Sequence, residues 1–155
     1  MSYTEEDYEE FAKRLETKYP KMFSRPYGGF AVGVGWWPII EKLCERIHSY
    51  TEWRNNTREA LLEANPYNHS IPNEVPQVVV AQIKEKFGGL RFYYDGGDEH
   101  IAGLASMAES WANNVCEECG KPGSSRRGGW IRTLCDEHEA ERQSKMKDRF
   151  GETNM

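Results

Sequence analysis

The stretch QVVVAQIKEKFGGLRFYYD, Gln77 to Asp95, decides the fold. Two readings compete for its first half. A helix over 77–87 would place Val79, Val80, Ile83 and Phe87 on one face and end at Gly88. A hairpin would use Val78, Val79 and Val80 as a β-branched run, turn at Gly88-Gly89, and return through Leu90, Arg91, Phe92, Tyr93 and Tyr94. The hairpin, at about 78–95, is the reading adopted, because the run is β-branched and a clear strand follows it. A two-residue turn at Gly88-Gly89 sets Phe87 opposite Leu90, Glu85 opposite Phe92 and Ile83 opposite Tyr94. That face is largely apolar. The other face carries Gln82, Lys84, Lys86, Arg91 and Tyr93, a basic surface with one aromatic ring.

Beyond the hairpin, Asp98 is placed to cap a helix of about 99–114. Ile101, Leu104, Ala105, Ala108, Trp111, Ala112 and Val115 form its apolar stripe. This helix delivers the chain to CEECGKPGSSRRGGWIRTLCDEH, residues 116–138. Cys116, Cys119, Cys135 and His138 have the spacing of a structural zinc site: two close pairs of ligands separated by a turn-rich stretch. Four good protein ligands leave no open position for water, so a structural Zn2+ is expected in place of a catalytic one. The intervening residues include Lys121, Arg126, Arg127, Trp130 and Arg132 and no acidic side chain. Arginine forks suit phosphates and carboxylates, and a Trp can stack on a base. Those five residues, with Lys84, Lys86, Arg91 and Tyr93 of the hairpin, are the candidate partner- or anion-binding surface. After Cys135, Asp136 is expected to cap a last helix through about 148, polar nearly all round.

Upstream of the hairpin, residues 65–77 hold Pro66, Pro72 and Pro76 and read as a loop. Trp37-Pro38 opens a helix, with Pro in a first turn where its missing N–H costs nothing. Ile39, Ile40, Leu43, Cys44, Ile47 and Tyr50 keep the helical period through at least residue 50, and the helix continues or restarts from Trp53 to Ala64. Before it, Tyr27 to Gly35 is short, apolar and glycine-rich. A brief strand at about 29–34 is expected there; the glycines make no complete GxGxxG fingerprint. Tyr27, Phe30, Trp36 and Trp37 form an aromatic group that reads either as core or as a stacking pocket for a ligand base. Thr4 is placed to cap a first helix over 4–17, with Tyr8, Phe11, Ala12 and Leu15 as its stripe.

The whole is α+β: helices packed on a small antiparallel sheet, with a C-terminal zinc knuckle or ribbon. Residues 1–115 form the core, and 116–150 form a zinc-binding subdomain continuous with it. The 155 residues include five Trp, eight Tyr and six Phe, too many large aromatics for a disordered chain. A net charge of -5 argues against unspecific coating of nucleic acid, which needs surplus Lys and Arg. The acidic first residues lack an apolar leader core, and no stretch approaches membrane-spanning length. Cysteines placed as metal ligands suit a reducing cytoplasm. His48, His69 and His100 have no evident catalytic partner, and an enzyme is not the reading adopted.

Three blocks carry a resemblance: Gly35-Trp36-Trp37-Pro38-Ile39-Ile40 with Leu43-Cys44, then Gln82 to Tyr93, then the CxxCG and TLCDEH ending. Over about residues 27–140 the chain resembles a group of small phage and prophage proteins. The resemblance implies a phage origin, action in the cytoplasm of a bacterial host, and a zinc-bearing C-terminus. It carries over no catalytic residues. The expected function is that of a non-enzymatic, zinc-stabilised phage accessory protein that binds a host macromolecule, in host takeover or counter-defence. Two alternatives stand beside it: a nucleic-acid-binding zinc-ribbon protein, and a sponge for a nucleotide signalling molecule.

Overall fold

A computed structural model describes residues 4–150. In chain order its elements are α1 (Glu5–Lys18), β1 (Phe30–Ala31), a short 3-10 turn (Val34–Trp36), α2 (Trp37–Ala64), β2 (Val79–Lys86), β3 (Gly89–Asp95), α3 (Glu99–Ala112), β4 (Ser124–Arg126), β5 (Arg132–Leu134) and α4 (Asp136–Phe150). The fold is α+β. Each of the first and third helices starts where its cap was expected. Thr4 accepts from Asp7 N–H and Asp7 answers with a bond from Thr4 N–H, a full capping box. Asp98 accepts from Ile101 N–H at 3.1 Å.

Residues 79–95 form the hairpin, not the helix, but its register differs from the one the sequence suggested. Lys86 pairs with Gly89, so Phe87 and Gly88 make the turn. Both have positive φ, 53° and 80°, as a type I′ turn requires. Glu85 therefore faces Leu90, Ile83 faces Phe92, and Gln82 faces Tyr93. The reason lies outside the hairpin. Gly88 is pressed against the chain at Ile131 and Arg132, and its carbonyl accepts from Thr133 Oγ1 at 2.6 Å. A Cβ there would sit 3.1 Å from Ile131, and the φ of 80° favours glycine at the tip. The register moved by two residues, so side-chain parity survived and the two faces keep their membership except for Phe87, which leaves the apolar face for the turn and is exposed. Ile83, Leu90 and Phe92 are buried, while Gln82, Lys86 and Tyr93 are exposed. A bulge between Val80 and Gln82 then lets Val78, Val80 and Ile83 all point inward.

The sheet is mixed, a correction to the antiparallel expectation. β1 pairs parallel to β2, with Phe30 opposite Ile83. The crossover between them contains α2, and a helical crossover returns the chain in the same direction. β1 is also only two residues long, because Gly33 and Gly35 are engaged elsewhere. The far edge of the hairpin is covered by α3, whose Glu109 accepts from Phe92 N–H at 2.8 Å.

α2 is one unbroken helix of 28 residues, about 42 Å long. Its buried face ends at Thr51. Further out, Asn55 both donates to Val75 C=O and accepts from Val75 N–H, so the proline-containing loop is strapped back along the helix. On α3 the buried stripe is Ile101, Ala105, Ala108 and Ala112; Trp111, expected to be inside, is 54% exposed. Steps of four, three and four residues keep the small alanines inward and turn Trp111 to the rim.

One continuous core joins α1, α2, the three-stranded sheet and α3. The C-terminal unit, residues 116–150, docks on it through backbone. Gly35 N–H donates to Glu117 C=O at 2.6 Å, and Trp36 Nε1–H donates to Val115 C=O at 2.8 Å. A Cβ on Gly35 would lie 2.1 Å from Cys116 O, and one on Gly33 would lie 2.4 Å from Glu117 O. The glycines of this segment are there for contact with the first cysteine knuckle.

Candidate metal centre and adjoining surface

Cys116 and Cys119 sit on a tight turn. Cys116 N–H donates to Lys121 C=O at 2.7 Å and Gly120 N–H donates back to Cys116 C=O at 2.9 Å. Gly120 has φ 82°, which closes the loop. The second pair comes from the start of α4. Cys135, not Asp136, is the residue before the helix. Its Sγ accepts from His138 N–H at 3.4 Å, and its carbonyl accepts from Glu139 N–H. The His138 N–H at the positive end of the helix pulls the Cys135 thiol down to about 7. His138, one turn along, brings its ring back over the same point.

The four ligand atoms lie within 4.8 Å of one another. Cys116 Sγ is 3.6 Å from His138 Nδ1, Cys119 Sγ is 3.8 Å from Cys135 Sγ, and Cys135 Sγ is 3.2 Å from His138 Nδ1. Cys116, Cys119, Cys135 and His138 are thus close enough to hold a metal ion. The other ring nitrogen, His138 Nε2, faces Glu118 at 3.5 Å and Glu141 at 3.9 Å. Carboxylates on that side would favour a proton on Nε2 and leave the Nδ1 lone pair to a metal. Sequence reasoning missed both carboxylates, because their role depends on which way the ring points.

The basic loop is less free than its composition suggests. Arg126 bonds Leu134 C=O and Asp136, Arg132 bonds Glu118 and lies 3.6 Å from Glu117, and Lys121 pairs with Glu137. These three cations hold the unit together. Glu117 itself is buried; burial raises its pKa, against the opposing pull of Gly33 N–H and Arg132. Trp130 does not pack under the metal site. It is 75% exposed. Its backbone is nevertheless fixed: Arg142, paired with Glu139, donates to the carbonyls of Trp130 at 2.6 Å and Arg127 at 3.4 Å. Phe87, at the hairpin tip, is 72% exposed beside it. Glu85, Lys86, Phe87, Gly129, Trp130 and Ile131 line a cleft of about 410 Å³ between the two elements. The hairpin and the loop, distant in sequence, therefore form one surface.

Lys84, Lys86 and Arg91 stand differently from the loop cations. They make no ion pair among the described residues. Lys84 Nζ lies 5.9 Å from the Tyr93 ring centre, and Lys86 Nζ lies 5.7 Å from that of Phe87.

Of the two readings of Tyr27, Phe30, Trp36 and Trp37, the structure gives core and not a stacking pocket: the protein's own rings fill the space. Trp36 is fully buried, and Tyr27 and Phe30 are in the core. Trp37 stacks on Phe11 at 4.5 Å with Tyr8 against its edge, and Tyr27 donates its hydroxyl to Glu16.

Among the described residues no helix is long and apolar enough to cross a membrane. No protein-family model, curated protein or solved structure matches the chain.

Proposed function

We propose that the protein is a non-enzymatic phage accessory protein, stapled by a structural zinc ion, that binds a host macromolecule in the bacterial cytoplasm. Zinc is supported by the ligand set and its spacing. With Zn–S near ~2.3 Å and Zn–N near ~2.0–2.1 Å, a tetrahedron has edges of about 3.8 Å between sulfurs and about 3.6 Å from sulfur to nitrogen. The Cys119–Cys135 and Cys116–His138 separations of 3.8 Å and 3.6 Å match those edges, while Cys135 and His138, at 3.2 Å, stand closer than a bound ion would hold them. Three thiolates and an imidazole complete the shell, so the metal shapes the fold and does not activate water.

The observation that carries the binding reading is the cleft between Phe87 and Trp130. Two large rings point outward, one from the hairpin tip that Thr133 ties to β5, the other from the loop that Arg142 ties to α4. Exposed aromatics on a rigid frame are the usual anchors of a binding surface. The phage resemblance supplies the setting, host takeover or counter-defence. Elemental analysis of the purified protein should find one zinc per chain. The binding reading is tested by comparing the proteins retained from host lysate by the wild-type chain, by F87A/W130A, and by M107A as a distant control. A partner held by wild type and M107A and lost by F87A/W130A is the expected result. Identical capture by all three would overturn it.

A further inference from the structure

The cations of the hairpin and of the C-terminal unit around its loop stand differently toward carboxylates. Lys121, Arg126, Arg132 and Arg142 each have a carboxylate within 4.0 Å. Lys84, Lys86 and Arg91 have none among the described residues, although they share one sheet face with Tyr93. Lys84 and Arg91 are directly opposite on paired strands. Like charges in that arrangement are unfavourable unless something neutralises them. Past Lys86 lie Phe87 and, across a cleft that Glu85 also lines, Trp130, so the three cations sit between exposed rings.

We infer that this face binds single-stranded nucleic acid, with Lys84, Lys86 and Arg91 on phosphates and Tyr93, Phe87 and Trp130 as stacking platforms for bases. The inference rests on the binding reading above and names its ligand class. Single strands are favoured over duplex because a duplex keeps its base faces stacked inside, where these rings cannot reach them. They are favoured over an acidic peptide because carboxylates answer the cations but leave three flat rings without flat partners. Trp130 is suited to the role by its fixed backbone: a ring held in place loses less entropy on stacking. The net charge of -5 repels phosphate elsewhere and confines the strand to this face. With Arg127 as a fourth cation free of ion pairs, the logarithm of affinity against the logarithm of salt should fall with a slope of about -3.

The test is fluorescence anisotropy of the zinc-loaded full chain with labelled short oligo-dT and oligo-U, a duplex of equal length, and a poly-glutamate peptide, between about 50 and 200 mM salt. Single strands should bind at least about tenfold tighter than the duplex, with the slope above. K84A/K86A/R91A should flatten the slope, and F87A/W130A should weaken binding about tenfold or more at unchanged slope. Circular dichroism and zinc content establish that each variant is folded, and the single substitution K86E repeats the charge test with the least disturbance. No binding at low salt, equal binding of duplex, indifference to F87A/W130A, or equal competition by poly-glutamate would each overturn the inference. If F87A/W130A loses a captured host protein while no oligonucleotide binds, the inference falls and the binding reading stands. If that variant changes neither, both fall.

Discussion

Ile40, Ile83, Leu90 and Ile101 are fully buried in one cluster that reaches from α1 through the sheet to α3. Among the described residues, the C-terminal unit's buried apolar cluster is only Leu134 with Cys116 and Cys135. The first region has enough apolar surface removed from water to hold its own shape. The second does not; the structural zinc proposed above would supply what it lacks, beside the ion pairs of Arg126, Arg132 and Arg142. The difference teaches where each kind of substitution will act. It also explains why the unit's cations are mostly unavailable: without a core, Arg126, Arg132 and Arg142 serve as its internal ties.

The largest expected effect breaks the unit alone. Zinc binding in small metallopeptides contributes ~10–16 kcal/mol, which no three-residue apolar cluster can replace. Chelation, or Cys116→Ser, should remove amide-exchange protection from 116–150 while α1, α2 and the hairpin strands keep theirs. Simultaneous loss across the chain would show that the regions are not separable. Next comes Trp36→Ala, which touches both regions. It removes a fully buried ring and the bond to Val115, and should cost ~3–5 kcal/mol in a denaturant titration. Trp36→Phe should retain much of the packing yet speed metal release, because only the link to Val115 is lost.

A smaller effect sharpens the contact between the regions. Gly35→Ala must push Cys116 away and should cost ~1–3 kcal/mol, with faster zinc transfer to a chelator. Gly103→Ala, where nothing lies within 4 Å, should be neutral or stabilise α3 by up to ~1 kcal/mol. Equal behaviour of the two would refute close backbone docking as the purpose of Gly35. The smallest effect lies within the core region. Asp98→Ala should cost about 1 kcal/mol through loss of the α3 cap. Although burial opposes it, bonds from Tyr50 and Ile101 hold the Asp98 carboxyl below its usual range. A depressed folded value means the stabilisation is present above the unfolded pKa and is lost as pH falls through the folded one. The stability difference between wild type and Asp98→Asn should therefore shrink as pH is lowered through the acid range, as followed by thermal melts.

Several parts of this structure were legible residue by residue. Thr4 and Asp98 named their helices because caps act over three residues. The stripes of α1 and α2 followed from period alone. That Cys116, Cys119, Cys135 and His138 come close enough to hold a metal ion followed from their spacing, since two residues three apart on a turn or a helix start meet locally. Misreadings arose where a distant contact decided the outcome. The turn at Phe87-Gly88 was set by β5 lying against Gly88. The charge of the loop was cancelled by Glu118, Asp136 and Glu137, which flank it in sequence but whose directions depend on the folded knuckle. Phe87 had no signal at all: an apolar residue beside two glycines reads as core until the register is known.

The sequence by itself determined the helices, the caps of α1 and α3, the presence of a hairpin, its basic and apolar faces, and the CxxC and CxxH pairs. Each rests on interactions a few residues long or on a period of two. Only the tertiary structure decided which glycine turns the hairpin, which cations stay free of carboxylates, and that Phe87 meets Trp130. Those outcomes depend on segments far apart in the chain coming into contact, and backbone docking through Gly35 and Gly88 leaves no periodic trace in a sequence.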